Sequence, residues 1–404
     1  STNVGDQFTS KNQHLIERAY SWFYLAINAG SSISIYYCPM LLQDPNWGPK
    51  WAFGMPAAMM MLATIVFWAG RARFAIVPPA GKAWAKEVFS PDGMKLVVSL
   101  LGIYFFVACF WMLWDQANGN TWTLQAQSSL MNKNLGFGIT LLPAQLQVVN
   151  GLFILVLAPL FSYAVYPFFG RFFTVTPLRK IGAGLFMVAS SFIIVAWIEG
   201  RIQEGHVVSA WWQILAYVVL TASEVLVSIT ALEFSYKQAP LRIKSFIMAL
   251  FLLSTSLGNL MIAGVNSAMV KPLHATAMQV GDETWVTVKE ASDFVKGQKI
   301  DFTGANGVQL VGSDGKTSAL AGTYLVSDIQ DGKLKLMDVI NRVPLKSTGE
   351  FKPAADAEVS TYYLVGPDYF YFFIGAMTLA GIVFIFFAMA YKDRTHVRTE
   401  GATA

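Results

Sequence analysis

The chain has 404 residues, 54% of them hydrophobic and only 13% charged, with a formal net charge of +4 at pH 7. A composition this apolar excludes an ordinary soluble domain and sets a polytopic membrane protein, and the near-balanced charge gives no reason to invoke nucleic acid. The two cysteines, Cys38 and Cys109, lie in apolar runs without metal-ligand spacing, so neither a disulfide framework nor a metal site is expected.

Residues 1–13 are polar and lack the apolar stretch of a signal peptide, and the absence of an initiator Met raises the expectation of an incomplete chain. Hydropathy then predicts eight membrane helices, at 20–42, 51–70, 95–114, 139–168, 181–198, 211–232, 246–270 and 369–391. In the first, Asn28 shares a face with Tyr20, Tyr24 and Ser32 at a spacing of four. A membrane Asn is either a ligand-binding group or interhelical glue, and the residues alone leave both open. The second helix contains Pro56. The third closes on Trp111 and, one turn later, Asp115, which read equally as an interfacial aromatic and a solvated helix end. Pro143, Gly151 and Pro159 mark the fourth as irregular, and Gly258 and Gly264 thin the seventh, so bent, closely packed helices are expected.

The sixth helix carries the most informative residue. Glu224 is the only charge in the apolar run from Trp211 to Leu232, whose 22 residues cover about 33 Å at the helical rise. A carboxylate near the bilayer midplane costs roughly 2.5–3.5 kcal/mol on insertion scales, so it faces a bundle interior or a wet cavity and marks a transport path. Gln213, Tyr217, Thr221, Glu224 and Ser228 follow one another at spacings of 4, 4, 3 and 4, which gathers them into one polar stripe that reads as cavity lining. The alternative is a protonated Glu hydrogen-bonded to a neighbouring helix for packing alone.

With an even number of spans both ends share a side. If that side is the cytoplasm, the inner segments hold sixteen Lys and Arg, among them Lys11, Arg18, Arg71, Lys86, Arg179 and Lys244, against Lys50, Lys133 and Arg201 in the short outer loops. This positive-inside bias sets the expected orientation and a multi-pass inner-membrane location. Residues 271–365 differ in kind: short runs rich in Val, Ile, Leu, Thr and Tyr are separated by the hairpin signals Asn306-Gly307, Asp314-Gly315 and Asp331-Gly332. Alternation in 299–302 and 333–336 predicts half-buried antiparallel strands, hence a small outer β-rich insert with no cluster of metal or catalytic spacing. A spacer, a lid or a module for an unknown outer-face partner are all open readings of it.

The segment from Glu224 through Glu233-Phe-Ser-Tyr-Lys-Gln-Ala-Pro240 resembles the tenth helix of proton-coupled oligopeptide transporters, and Phe23-Tyr-Leu-Ala-Ile-Asn-Ala-Gly-Ser-Ser32, preceded by Gly5 to Phe8, resembles their fifth. Phe110-Trp-Met-Leu-Trp-Asp-Gln116 with Thr121-Trp122 is similar to the seventh helix and its exit, and Gln145 to Pro159 to the eighth. The resemblance implies an all-α major-facilitator-type bundle in which the eight helices are equivalent to helices five to twelve of twelve. Residues 1–94 would hold the last two helices of the N-terminal bundle and the linker, 95–270 the first five of the C-terminal bundle, 271–365 the insert and 366–404 the final helix and a cytoplasmic tail.

It also implies proton-coupled symport of di- and tripeptides by alternating access, with protons as the coupling ion and no cofactor. In that reading Glu224 faces the peptide ammonium, Asn28 and Asn150 bond its backbone or carboxylate, and Tyr24, Trp111, Ser228, Phe251 and Ser254 line the pocket. Phe251 stands where bacterial relatives often carry tryptophan. Asp115, with Glu224, would serve protonation and gating. A nitrate or drug carrier of the same superfamily is the nearest alternative, and a membrane-embedded enzyme a more distant one, since His14, His206, His274 and His396 all fall outside the spans and no helix pairs a nucleophile with a base.

Overall fold

The computed structural model describes residues 16–74, 83–118, 120–136, 138–240, 243–289, 294–303, 307–312, 315–352 and 359–391, together with residues 4, 7 and 291. The side chains of 16–21, 24, 25, 83, 236 and 237 lie outside that description, as do Gly5, Asp6 and Phe8 of the first motif, Asn306, Asp314 and the tail from 392.

The helices are α1 (Ile16–Gln43), α2 (Gly48–Gly70), the short α3 (Ala83–Val88), α4 (Pro91–Ala117) and α5 (Thr121–Gln127). α6 (Val148–Leu160) runs through a π turn, Phe161–Val165, into Tyr166–Gly170. α7 spans Pro177–Gln203, and α8 (Trp211–Glu224) continues through a second π turn, Val225–Ile229, into Thr230–Gln238. α9 (Lys244–Ala268) and α10 (Pro367–Ala390) follow. Among the described residues seven helices are long and apolar enough to cross a bilayer, and α1, at 28 residues, is the remaining long helix. Local chemistry fixes the starts. α4 opens with Pro91 at its first position and the Ser90 hydroxyl accepting from Gly93 N at 3.1 Å, and α7 repeats the device with Pro177 and Thr176, whose hydroxyl accepts from Arg179 N at 3.3 Å.

One expected boundary moves. The fourth span was placed at 139–168, but Ile139–Thr140 is strand β3 and Pro143–Gln145 a single 3-10 turn, so the helix begins only at Val148. The reason is local: Pro143 cannot continue a helix backwards, and the Gln145 side chain turns back to accept from Leu142 N at 2.7 Å, closing the turn.

The core lies where α4, α7, α8, α9 and α10 meet, with Leu100, Ile103, Phe110, Leu185, Phe192, Leu220, Phe373 and Phe384 all buried. α9 lies on α4 without a gap, because Gly258 leaves no room for a side chain against Ala108, Trp111 and Met112. α1 packs on α2 and α6. The outward faces are apolar, as on α2, where Met59, Met60, Met61, Val66 and Trp68 are all exposed, the pattern of a helix solvated by lipid.

Outside the helices, β1 (Met131–Asn132) pairs in parallel with β4 (Val208–Ser209), and β2 (Asn134–Gly136) with β3. The insert is antiparallel: β5 (Val270–Leu273), β6 (Ala275–Gln279), β7 (Trp285–Val288), β8 (Lys299–Phe302), β11 (Gly322–Gln330), β12 (Lys333–Asp338) and β14 (Val359–Tyr362) form one sheet in the order β5-β14-β8-β11-β12-β7-β6. Its two outermost strands are one stretch of chain interrupted only at His274, so the sheet curls round and leaves no long open edge. Leu273, Val286, Ile300, Val326, Leu334 and Leu336 fill it, and of these Ile300, Leu334 and Leu336 are buried positions of the predicted alternations. The Asp331-Gly332 turn between β11 and β12 has φ of 47° and 75°, the left-handed pair of a tight hairpin. A smaller sheet, β10 (Thr317–Ala319), β9 (Val308–Val311) and β13 (Ser347–Gly349), completes the insert.

The insert is docked on the bundle. Ser129 N donates to Ile340 O at 3.0 Å, Gln203 Nε2 to Lys296 O at 3.2 Å and Tyr363 N to Met269 O at 2.9 Å. Arg342, held at φ 54°, brings its guanidinium towards Glu199 at the end of α7. Burial lowers the Arg342 pKa and the Glu199 charge opposes that shift.

Candidate functional site

Glu224 is the last residue of α8 before the π turn, and three helices meet around it. Glu224 is 8% exposed and Asn150, from the first turn of α6, 9%. Asn150 Nδ2 lies 2.9 Å from Glu224 Oε2 and 3.0 Å from Thr221 Oγ1, and the Thr221 hydroxyl donates in turn to Tyr217 O at 2.7 Å. From the last turn of α4, the Trp114 indole Nε1 donates to the same Oε2 at 2.9 Å. The carboxylate is thus held by an amide and an indole and faces no described cation, an arrangement that leaves its charge to be balanced by a proton or a cationic ligand.

The polar stripe of α8 does not line a cavity along its whole length, which corrects that expectation. Gln213 Nε2 donates to Trp122 O at 2.8 Å and the Tyr217 hydroxyl to Ala117 O at 2.7 Å, so the upper stripe ties α8 to the end of α4 and to α5. Buried polar groups require partners, and period alone does not say whether those partners are water or backbone. Only the lower part, from Thr221, reaches Asn150 and the donors around Glu224. Ser228 lies half-buried within the π turn.

Trp111 stacks edge-to-face on Trp114, with ring centroids 5.2 Å apart. Its indole nitrogen, the Asp115 Oδ2 and the Ser32 hydroxyl are buried with no hydrogen-bond partner among the described residues, the signature of groups awaiting a ligand, water or another segment. Asp115 is half-buried near the end of α4, one residue beyond the Trp114 that touches Glu224. Ser32 sits against Gly151, where an added Cβ would lie 2.6 Å from its hydroxyl, and the Asn28 carbonyl stands 3.7 Å from the same point, so α1 delivers Asn28 and Ser32 beside Asn150. Higher on the same pair of elements, Gln145 Nε2 donates to Tyr36 O at 2.7 Å. The Tyr24 side chain lies outside the described residues.

Phe251 and Ser254 sit on the face of α9 that packs on α4. Phe251 meets Tyr104 edge-to-face at 6.0 Å, and the Ser254 hydroxyl returns to Phe251 O at 2.5 Å. Both are buried, and the Ser254 hydroxyl bonds to its own helix. Sequence reading passed over Trp114. The available signal was its place three residues after Trp111, on the same helix face and next to an acid. Among the described residues no group of His, Cys, Asp and Glu is arranged to hold a metal.

The POT family profile matches residues 1–90 and 82–286. Over 239 residues the chain is 34% identical to "Peptide transporter family 1" of Drosophila melanogaster, a match covering 50% of this chain and 32% of that protein. The chain therefore spans about a third of the length of the curated relatives it matches. The crystal structure of the POT family transporter PepTSo superposes with a TM-score of 0.57 at 30% identity, covering 66% of each chain. An auto-inhibited POT family peptide transporter superposes over 98% of this chain and 74% of its own with a TM-score of 0.63, and at 21% identity that likeness speaks for the fold alone.

Proposed function

The chain belongs to the POT family of proton-coupled oligopeptide transporters, and from that premise and the Glu224 pocket we propose that it serves the coupled movement of protons and di- or tripeptides by alternating access. The observation that carries this reading is a buried carboxylate, deep in a membrane helix, held by neutral donors and lacking a described counter-cation. A zwitterionic peptide presents an ammonium to such a group, Asn150 is bonded directly to the carboxylate, and Asn28 lies on the turn of α1 that faces Gly151 of the same helix as Asn150. A nitrate carrier needs positive charge at this point and finds a carboxylate. A relative named as a peptide transporter at 34% identity supports the same substrate class.

In the proposed cycle Glu224 alternates between binding a proton and binding the ammonium, and Asp115, whose Oδ2 has no described partner, responds to protonation from the same last turn of α4 as Trp114. The positive-inside distribution supports an inner-membrane protein with 271–365 on the outer face and both ends of this chain cytoplasmic. The test is gradient-driven uptake of a labelled dipeptide by the complete protein in proteoliposomes. Glu224→Gln is expected to abolish accumulation at constant protein incorporation; undiminished accumulation removes Glu224 from the mechanism.

A further inference from the structure

Both donors that hold Glu224 converge on the same oxygen. Trp114 Nε1 and Asn150 Nδ2 are each 2.9 Å from Oε2, which fills the two lone pairs of that atom. Oε1 has no described donor and is not among the polar atoms sealed from solvent. Trp114 is itself held, its ring braced edge-to-face against Trp111 at 5.2 Å, and an indole N–H can only donate. The carboxylate therefore has one orientation fixed in advance and presents one oxygen.

We propose that Trp114 is a positioning residue of the substrate site, which with Asn150 turns Glu224 so that Oε1 alone is offered, and that the site consequently selects a single ammonium over a guanidinium. The chemistry follows from the geometry: an ammonium needs one acceptor oxygen, whereas a guanidinium gains its strength from a two-pronged bond to both oxygens, one of which is already saturated. This rests on the reading that Glu224 receives the peptide's amino terminus, and it adds which residue aims the carboxylate and which cation it rejects.

The experiment uses the complete protein in proteoliposomes, with labelled alanyl-alanine as substrate and unlabelled alanyl-alanine and its N-amidino (guanidino) derivative as competitors. The wild-type protein is expected to favour the ammonium form by about tenfold, the worth of one charge-assisted hydrogen bond. Trp114→Phe, which keeps a ring against Trp111 and loses the N–H, should raise KM about tenfold with the maximal rate held, and bring the two competitors to near parity. Trp114→His, which restores a ring donor, should recover part of the discrimination. A Trp114→Phe protein with unchanged KM and discrimination, or with a lowered maximal rate alone, overturns the proposal. Should that variant not fold, equal competition by the two forms in the wild-type protein overturns it as well. If Glu224→Gln takes up alanyl-alanine normally, it is the assignment of Glu224 to the ammonium that has failed.

Discussion

Gly258 offers a sharp test of whether α4 and α9 are as close as they stand. A Cβ added there would lie 2.7 Å from Ala108 O, 2.8 Å from Trp111 Cβ and 2.9 Å from Met112 N. Two of these atoms are backbone and the third is a Cβ, so none can rotate away, and the shortest contact falls about 0.7 Å below the 3.4 Å at which ordinary contact begins. Gly258→Ala must therefore push the helices apart, at an overpacking cost of about 1–3 kcal/mol. The strain is delivered at Trp111, one turn from Trp114, so the 2.9 Å bond to Glu224 lengthens and dipeptide KM rises with it. Gly264, on the same helix, has nothing within 4 Å of an added Cβ, and Gly264→Ala is expected to be neutral or to gain up to about 1 kcal/mol from helix propensity. Thermal unfolding of the complete protein in detergent, paired with uptake kinetics, reads both. A Gly258→Ala protein with wild-type Tm and KM refutes the close packing. Gly151→Ala belongs between them, because its nearest neighbour is the Ser32 hydroxyl, which can turn aside.

Two predictions concern the insert. Arg342→Ala removes the cation that faces Glu199, and should speed proteolytic cleavage of the segments joining 271–365 to the bundle without unfolding the β core, as followed by fragment mass; an unchanged rate shows that the hydrogen bonds of the Ser129 backbone and the Gln203 side chain suffice. Lys346 at 2.9 Å from Asp282 and Lys296 at 2.8 Å from Asp328 hold both carboxyls below their ordinary pKa. Carboxyls lowered in the folded state contribute stability at neutral pH and lose it as pH falls below about 4 through the lowered values. Asp282 is 88% exposed and Asp328 30%, and both pair with largely exposed lysines, so solvent screening keeps the contribution small. Hydrogen exchange of the insert, corrected for intrinsic rate, should show protection falling on acidification, and the fall should shrink in a protein carrying Asp282→Asn and Asp328→Asn.

The helices and most of the insert were legible because a bilayer and a half-buried sheet impose simple periods. Twenty apolar residues in a row announce a span, and the Asp331-Gly332 pair announces the hairpin whose left-handed backbone it adopts. The start of α6 was not legible to hydropathy, since Ile139, Leu141 and Leu142 are as apolar as the helix they precede and only Pro143 marks the break. The role of Trp114 was hidden for a related reason: in a membrane helix an aromatic facing lipid and one bonded to a buried carboxylate read alike, and the choice is made by the distant residue across the bundle. The α8 stripe shows the converse, a periodicity read correctly as a face whose partners were backbone carbonyls rather than water.

The two π turns lie beyond Glu224 and Asn150 on the two helices that bring those residues together. Each follows the pocket on its own helix, Phe161–Val165 after Asn150 in α6 and Val225–Ile229 directly after Glu224 in α8. They meet through one small apolar cluster of Ile154, Phe161, Ala222, Val225 and Leu226. Pro159 accounts for the first, since it supplies no N–H to the helix ladder and crowds the carbonyl one turn back. A π turn inserts an extra residue and shifts the phase of everything beyond it, which is why Ser228, four residues after Glu224, lies within the re-phased segment instead of continuing the regular face above. Helix above the pocket is stitched to its neighbours by Gln213 and Tyr217, while below it the regular ladder is broken on both partners at the same level. On the proposed reading, a change in what Glu224 binds would meet firm packing on one side, through Gln213 and Tyr217, and two adjoining irregular turns on the other.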